Sequence, residues 1–339
     1  MSWRHIYRWD LDKTYLETDF ESLRRLVGIA FERPEEKVNV PGSAALLREL
    51  CRDVEGLDPS RVCIISGSPR QMRRTLEKKL EIDGVRWDEF HLKPQWENLR
   101  RGRFRALRDQ VGYKLPLLLR SRRDTEDVGE APESLFGDDA EADAFIYSLY
   151  ADVLAGRVDV DALVRTLRAA GAYSDAVDAS VEAARSLEHA DAVERIFIHL
   201  DKRTPPAFFR AFGPRVVPVY NYFQAALVLF SGGHLGAMGV VTVTRAFLEA
   251  EGHNADSLAN LFQDVVRRGH LPASAMQELG LAIQELGDVP DAAEVVWKSV
   301  QRFNDLGAAR QFQAPAPPPG LDYNQLLEHV RAREHARGG

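Results

Sequence analysis

"YRWDLDKTYL", residues 7–16, ends a short strand-favouring run on two aspartates, Asp10 and Asp12, with Thr14 two positions further on. A strand through Trp9 delivers both carboxylates at its carboxyl end, two residues apart and on the same side, because side chains alternate along a strand with a period of two. Anions held that close push one another's pKa upward. A hard divalent cation with oxygen ligands, such as Mg²⁺, relieves the repulsion. A DxDxT string is also common in surface turns, so its meaning depends on the rest of the chain.

Working outward, short β-branched runs alternate with helical patterns over the first two-thirds of the sequence. The runs are "HIYRW" (5–9), "RVCIIS" (61–66), "ESLFG" (133–137), "RIFIHL" (195–200) and "RVVPVYN" (215–221). Amphipathic segments lie between them, at 43–54, 70–82 and 141–156. That alternation predicts an α/β fold, a Rossmann-like doubly wound parallel sheet with its chemistry at the carboxyl ends of the strands. The core is expected over 1–234, with two inserted helices at about 157–192. A helical region follows at 235–312, then a proline-rich linker at 313–320 and a terminal helix or tail at 321–339.

The 339 residues are 45% hydrophobic, enough for a sizeable core. The net charge of −7 argues against a general nucleic-acid binder, although arginine-rich runs stand at 70–74, 99–108 and 119–123. Two cysteines, Cys51 and Cys63, build no disulfide framework and fit a reducing, cytoplasmic setting. No signal peptide is visible at the N-terminus. The apolar stretch 216–243 approaches membrane-span length but contains Pro218, Asn221, Gln224, a glycine pair and His234. It reads as a buried strand and a core helix, which predicts no transmembrane segment and leaves peripheral membrane contact open. Oligomeric state is not legible.

Further polar groups gather at predicted strand ends. "VCIIS" ends on Ser66, followed by Gly67, Ser68 and Arg70, whose guanidinium can reach a phosphate bidentately. "GYKLP" supplies Lys114, a point charge suited to phosphate oxygens. "SLFGDDAEAD" brings Asp138, Asp139 and Asp143. Carboxylates, a hydroxyl and an ammonium on one sheet edge suit phosphoryl transfer, which is mostly positioning and charge stabilisation. His199 and Asp201 in "IFIHLDKRTPP" also fall at a strand end, where a capping loop is the simpler reading.

In order, "WDLDKT", "IIS", Lys114 and "GDDAEAD" resemble the four motifs of the haloacid-dehalogenase-like (HAD) superfamily of phosphatases. Within it, "DLDKT", "VPGSAALLREL" (40–50), "SGSPRQM" (66–72), "YKL" (113–115) and "GDDAEADAFIY" (137–147) resemble the App1-like phosphatidate phosphatase catalytic domain. The resemblance covers about residues 5–150 and extends to the strands before 234. It implies Asp10 as a nucleophile forming an aspartyl-phosphate, and Asp12 as general acid and then base. Ser66 and Lys114 would hold the phosphoryl group, with Thr14, Gly67, Ser68 and Arg70 near the substrate. Asp10, Asp138 and the Asp12 carbonyl would bind Mg²⁺, with Asp139 or Asp143 completing the shell. Lys13, Arg70 and Tyr113 depart from the closer pattern, which bears on a lipid substrate. Only about 50 residues separate Asp12 from Ser66, and about as many separate Ser66 from Lys114, which implies a minimal cap and a large phosphomonoester substrate. Two other readings stand beside this one: a nucleic-acid or nucleotide end phosphatase, and a silent module that binds phosphate or phospholipid.

Overall fold

The structure, a computed structural model, describes residues 3–17, 33–93, 107–250, 254–286, 291–305 and 320–338. Six strands form one sheet: His5–Asp10 (β1), Ser60–Pro69 (β2), Glu89–Lys93 (β3), Glu133–Asp138 (β4), Val193–His199 (β5) and Val216–Val219 (β6). The helices are Ser43–Leu50 (α1), Arg73–Ile82 (α2), Leu107–Asp124 (α3), Asp143–Leu154 (α4), Val160–Ala169 (α5), Ser174–Arg185 (α6), Tyr222–Ser231 (α7), Ala237–Leu248 (α8), Ala255–Arg267 (α9), Ala273–Gln284 (α10), Asp291–Asp305 (α11) and Tyr323–Gly338 (α12).

The sheet runs β3-β2-β1-β4-β5-β6, and the registers from β3 through β5 are parallel. The chain leaves β1 on one side through β2 and β3, then restarts on its other side with β4. The carboxyl ends of β1 and β4 therefore flank the point where strand order reverses, where such sheets open a crevice. β1 is buried along its whole length, as a central parallel strand covered on both faces must be. On one face Trp9, Phe136 and Phe197 stack across β1, β4 and β5, with centroids 4.1 and 4.8 Å apart. Arg8, the next residue along β1, is equally buried. It grips Glu133 at 2.8 and 2.9 Å, and Arg122 of α3 reaches the same carboxylate at 2.8 Å. Two guanidiniums hold the Glu133 carboxyl down to about 2 despite its burial.

Two compact units share the chain: residues 1–38, 53–218 and 317–339 form the first, and 39–52 with 219–316 the second. The first unit breaks off at 218 and not at 234, where the sequence pattern places the end of the core. The helical unit takes α1 from inside the core sequence and α7 from its end, because both pack on α8. Gly42 makes the turn into α1 at φ 85°, and a Cβ there would press on Tyr222 and Val243 at 3.3 and 3.4 Å. Asn221 caps α7 by accepting from the Gln224 N–H at 3.1 Å, and the Gln224 amide bonds Leu261 and Asp264. Asn221 and Gln224 of the long apolar run are thus satisfied core amides, and among the described residues no helix is long and apolar enough to cross a membrane.

The helices expected in 157–192 are α5 and α6. The terminal helix α12 docks on the first unit through Leu326, Leu327 and Val330, and the Tyr323 hydroxyl lies 2.7 Å from both the Ser148 carbonyl and Asp152. Residues 313–319 of the proline-rich linker, and 99–106 of the arginine-rich run, lie outside the described residues. In the run at 119–123, Arg122 is buried on Glu133 and Arg123 pairs with Asp124, so the run is no continuous basic face.

Candidate active site

Asp10 is the last residue of β1. The chain then turns tightly: Tyr15 and Leu16 donate to the Leu11 carbonyl at 2.9 and 2.8 Å, and Lys13 adopts φ 61°. This turn holds Asp12 against the tip of β2, and Thr14 is buried within it. The Ser66 hydroxyl donates to Asp12 Oδ2 at 2.9 Å, and the Ser68 hydroxyl lies 2.9 Å from the same oxygen. Ser66 Oγ in turn accepts from the Ser68 N–H at 2.9 Å. The two serines therefore fix the Asp12 side chain. Burial raises the Asp12 pKa, against the opposing pull of both serine hydroxyls. Gly67 stands at an open lip where a Cβ would meet nothing within 4 Å, and Arg70 is exposed just beyond it.

Lys114 arrives from α3, a helix hidden in sequence by Gly112 and Pro116. Its buried ammonium lies 2.5 Å from Asp143, 2.8 Å from Glu141 and 3.6 Å from Asp10. Burial alone would lower the Lys114 pKa; Asp10, Asp143 and Glu141 outweigh it and raise it, so the lysine is charged. One residue earlier, the Tyr113 hydroxyl donates to the Ser66 carbonyl at 3.0 Å and ties α3 to the tip of β2.

β4 ends on Asp138, which accepts from the N–H groups of Ala140 and Glu141 through Oδ1 at 2.5 and 3.0 Å. Asp143 begins α4 and accepts from the Asp138 N–H at 3.1 Å. The close approach of Asp143 to β4 requires Gly137, since a Cβ there would collide with the Asp143 carboxylate. Asp139 faces elsewhere. Its carboxylate accepts from the Lys202 N–H at 2.7 Å and the Thr204 N–H at 2.8 Å, and from the Thr204 hydroxyl. Of the two aspartates left open as metal ligands, Asp143 joins the cluster, and Asp139 anchors the loop after β5.

Asp10, Asp138 and Asp143 each present a carboxylate oxygen within 4.8 Å of the other two. Both oxygens of Asp10 and Oδ2 of Asp138 are buried and find no hydrogen-bond donor among the described residues. Burial is the largest cause raising the Asp10 and Asp138 pKa values, and the neighbouring acids add to it. Buried polar atoms normally have partners, and orphaned carboxylate oxygens on Asp10 and Asp138, with the Asp143 carboxylate beside them, are a donor set that a small hard cation takes. The residues present therefore fit a divalent ion such as Mg²⁺.

The chain matches no family model, no curated protein and no solved structure. Its own geometry has to carry the functional reading.

Three contacts escape sequence reading. Glu141 reaches Lys114, yet in "GDDAEAD" it looks like one more surface acid. Tyr113 gives no sign of its bond to the Ser66 carbonyl. His199 lies with Nδ1 2.7 Å from the Lys13 carbonyl, and Lys13 Nζ is 3.7 Å from Asp201. The loop after β5 thus buttresses the turn that carries Asp12, which gives "HLDKRT" a positioning role. Its spacing in the sequence alone could not reveal that.

Proposed function

We propose that the protein is a Mg²⁺-dependent phosphomonoester hydrolase of the haloacid-dehalogenase-like kind, working through an aspartyl-phosphate on Asp10. The carrying observation is the Asp10 carboxylate at the sheet's switch point, with no hydrogen-bond donor among the described residues, 3.6 Å from Lys114 and grouped with Asp138 and Asp143. A nucleophile needs a free lone pair, and neither oxygen of this carboxylate accepts a hydrogen bond among the described residues.

In the first step an Asp10 oxygen attacks phosphorus, the bond to the leaving oxygen breaks, and Asp12 gives that oxygen its proton. In the second, Asp12 takes a proton from water, which attacks the aspartyl-phosphate and releases inorganic phosphate with Asp10 restored. The raised pKa of Asp12 supports the acid role, because it keeps the proton available. Lys114 neutralises phosphoryl oxygens, a substrate phosphate displacing Glu141 from it. Mg²⁺ held by Asp10, Asp138 and Asp143 would supply charge neutralisation to the phosphoryl group. The short stretches between motifs support a minimal cap and access for large phosphomonoesters, including a phosphatidate-like lipid.

The test is turnover of 4-nitrophenyl phosphate by the full chain with Mg²⁺, with EDTA, and in two variants. Asp10→Asn should cut kcat by at least about 10³-fold. Asp12→Asn should accumulate acid-stable phosphate on Asp10. Turnover that survives both EDTA and Asp10→Asn would sink the reading.

A further inference from the structure

A cavity of about 580 Å³, a size suited to a small molecule, is lined by β3, α3 and α6 and by Arg70 just past the tip of β2. Tyr113, whose hydroxyl holds the Ser66 carbonyl and whose neighbour is Lys114, stands in its lining. Phe90 and Leu92 of β3 and Pro116 and Leu117 of α3 supply apolar walls. Three arginines share the lining with them. Arg73 is committed to Glu77 and the Phe90 carbonyl, at 2.6 and 2.5 Å. Among the described residues the other two form no ion pair: Arg70 has no hydrogen bond, and Arg120 donates to the Pro116 carbonyl at 3.2 Å. Asp175, the one acid among the described lining residues, forms no ion pair with either. Arg70 follows the tip of β2, next to the serines that hold Asp12, whereas Arg120 lies seven residues beyond Tyr113, about 10 Å along the same face of the helix.

We propose that this cavity is a second anion subsite, and that the substrate is an elongated small phosphomonoester with an apolar body and a second anionic group that reaches Arg120. The proposal rests on the phosphatase reading for what happens at the other end. A guanidinium takes a carboxylate or phosphate through paired N–H donors, and the walls between the two arginines suit an apolar spacer. An aromatic and an alkyl body share this chemistry.

Steady-state kinetics with Mg²⁺ decides it, comparing 6-phosphooxy-2-naphthoate with 2-naphthyl phosphate, and 8-phosphooxyoctanoate with octyl phosphate. In at least one pair the far carboxylate should raise kcat/KM by about tenfold or more, as a charged hydrogen bond does. The pair that shows the gain identifies the body as aromatic or alkyl. Arg120→Ala should bring that ratio close to one, and Arg120→Lys should restore part of it. A ratio near one in the wild-type protein, or one that survives Arg120→Ala, overturns the subsite while leaving the phosphatase standing. Absence of all turnover overturns the phosphatase reading instead. Calorimetry of the products then judges the cavity alone: binding of 6-hydroxy-2-naphthoate or 8-hydroxyoctanoate about tenfold tighter than 2-naphthol or octanol, lost in Arg120→Ala, upholds it. Equal binding overturns it.

Discussion

Asp10 and Asp12 stand two residues apart in sequence and live in different surroundings. Asp12 is held by two serine hydroxyls, whereas Asp10 faces only an ammonium and other acids. The acids cost the fold stability. Raised carboxyl pKa values mean that the folded state holds these protons more tightly than the unfolded chain. Stability from Asp10, Asp138 and Asp143 is therefore greatest when they are protonated and falls as pH rises from the ordinary carboxylate range through their raised values. Asp138→Asn keeps an oxygen for the Ala140 and Glu141 N–H groups and removes one charge. Without metal it should melt about 1–2 °C higher than the wild type, the shift that roughly 1 kcal/mol produces in a protein of this size. Mg²⁺ should raise the melting temperature of the wild type and not of the variant, read by calorimetry with and without EDTA. The two aspartates, Ser66 and Asp138 were legible because each follows an apolar run that ends where polarity begins. Glu141 and His199 were not, since their roles depend on which loops meet across the sheet edge.

At the scale of elements, the central strands announced themselves as continuous apolar runs, whereas β3 and α3 did not. β3, "EFHLK", alternates buried and half-buried positions on a five-residue edge strand, too short a pattern to stand out. α3 carries Gly112 and Pro116 in its interior, the residues that normally end a helix; tertiary packing of Val111, Leu115, Leu118 and Leu119 overrides them. The junction of β4 and α4 depends on Gly137. Gly137→Ala should displace Asp143, cost about 1–3 kcal/mol in denaturant unfolding, and weaken Mg²⁺ stabilisation of the protein. Beneath the site, Glu133 bonds β1 to α3 through two arginines. Its lowered pKa places the sign opposite to that of the site acids: its stability is present above pH about 4.5 and lost as pH falls toward about 2. Glu133→Gln should remove this acid-sensitive component and destabilise the protein at pH 7 by about 3–5 kcal/mol, because Arg8 and Arg122 would be left buried without their charge partner. Urea midpoints between pH 3 and 7 measure both.

For the whole molecule, the alternation of strands and helices disclosed the α/β class but misplaced the division into units. Helical periodicity shows that a segment buries one face; it does not show against what. α1 reads as one more helix of the core, and only the turn at Gly42 and its packing on α8 assign it to the other unit. The terminal helix is the reverse case, separated by a proline-rich stretch yet docked on the first unit through Tyr323. Tyr323→Phe should cost about 1 kcal/mol, the usual value of one buried hydrogen bond. A chain ending at residue 316 should lose several times that, with α4 and α5 exchanging amide hydrogen faster. Equal exchange in the full and shortened chains would show that the helix adds no support to its neighbours.

The helical unit draws on residues 39–52 and then on 219–316, with 166 residues between the two segments. On a ribosome adding about 5–20 residues per second, the first segment waits roughly 10–30 s for its partners. Through that interval Ala45, Leu46, Leu47 and Leu50, all buried in the finished protein, have no native cover. The nascent chain therefore offers a chaperone a defined apolar target early in translation, and the first unit remains incomplete until its closing helix has left the exit tunnel.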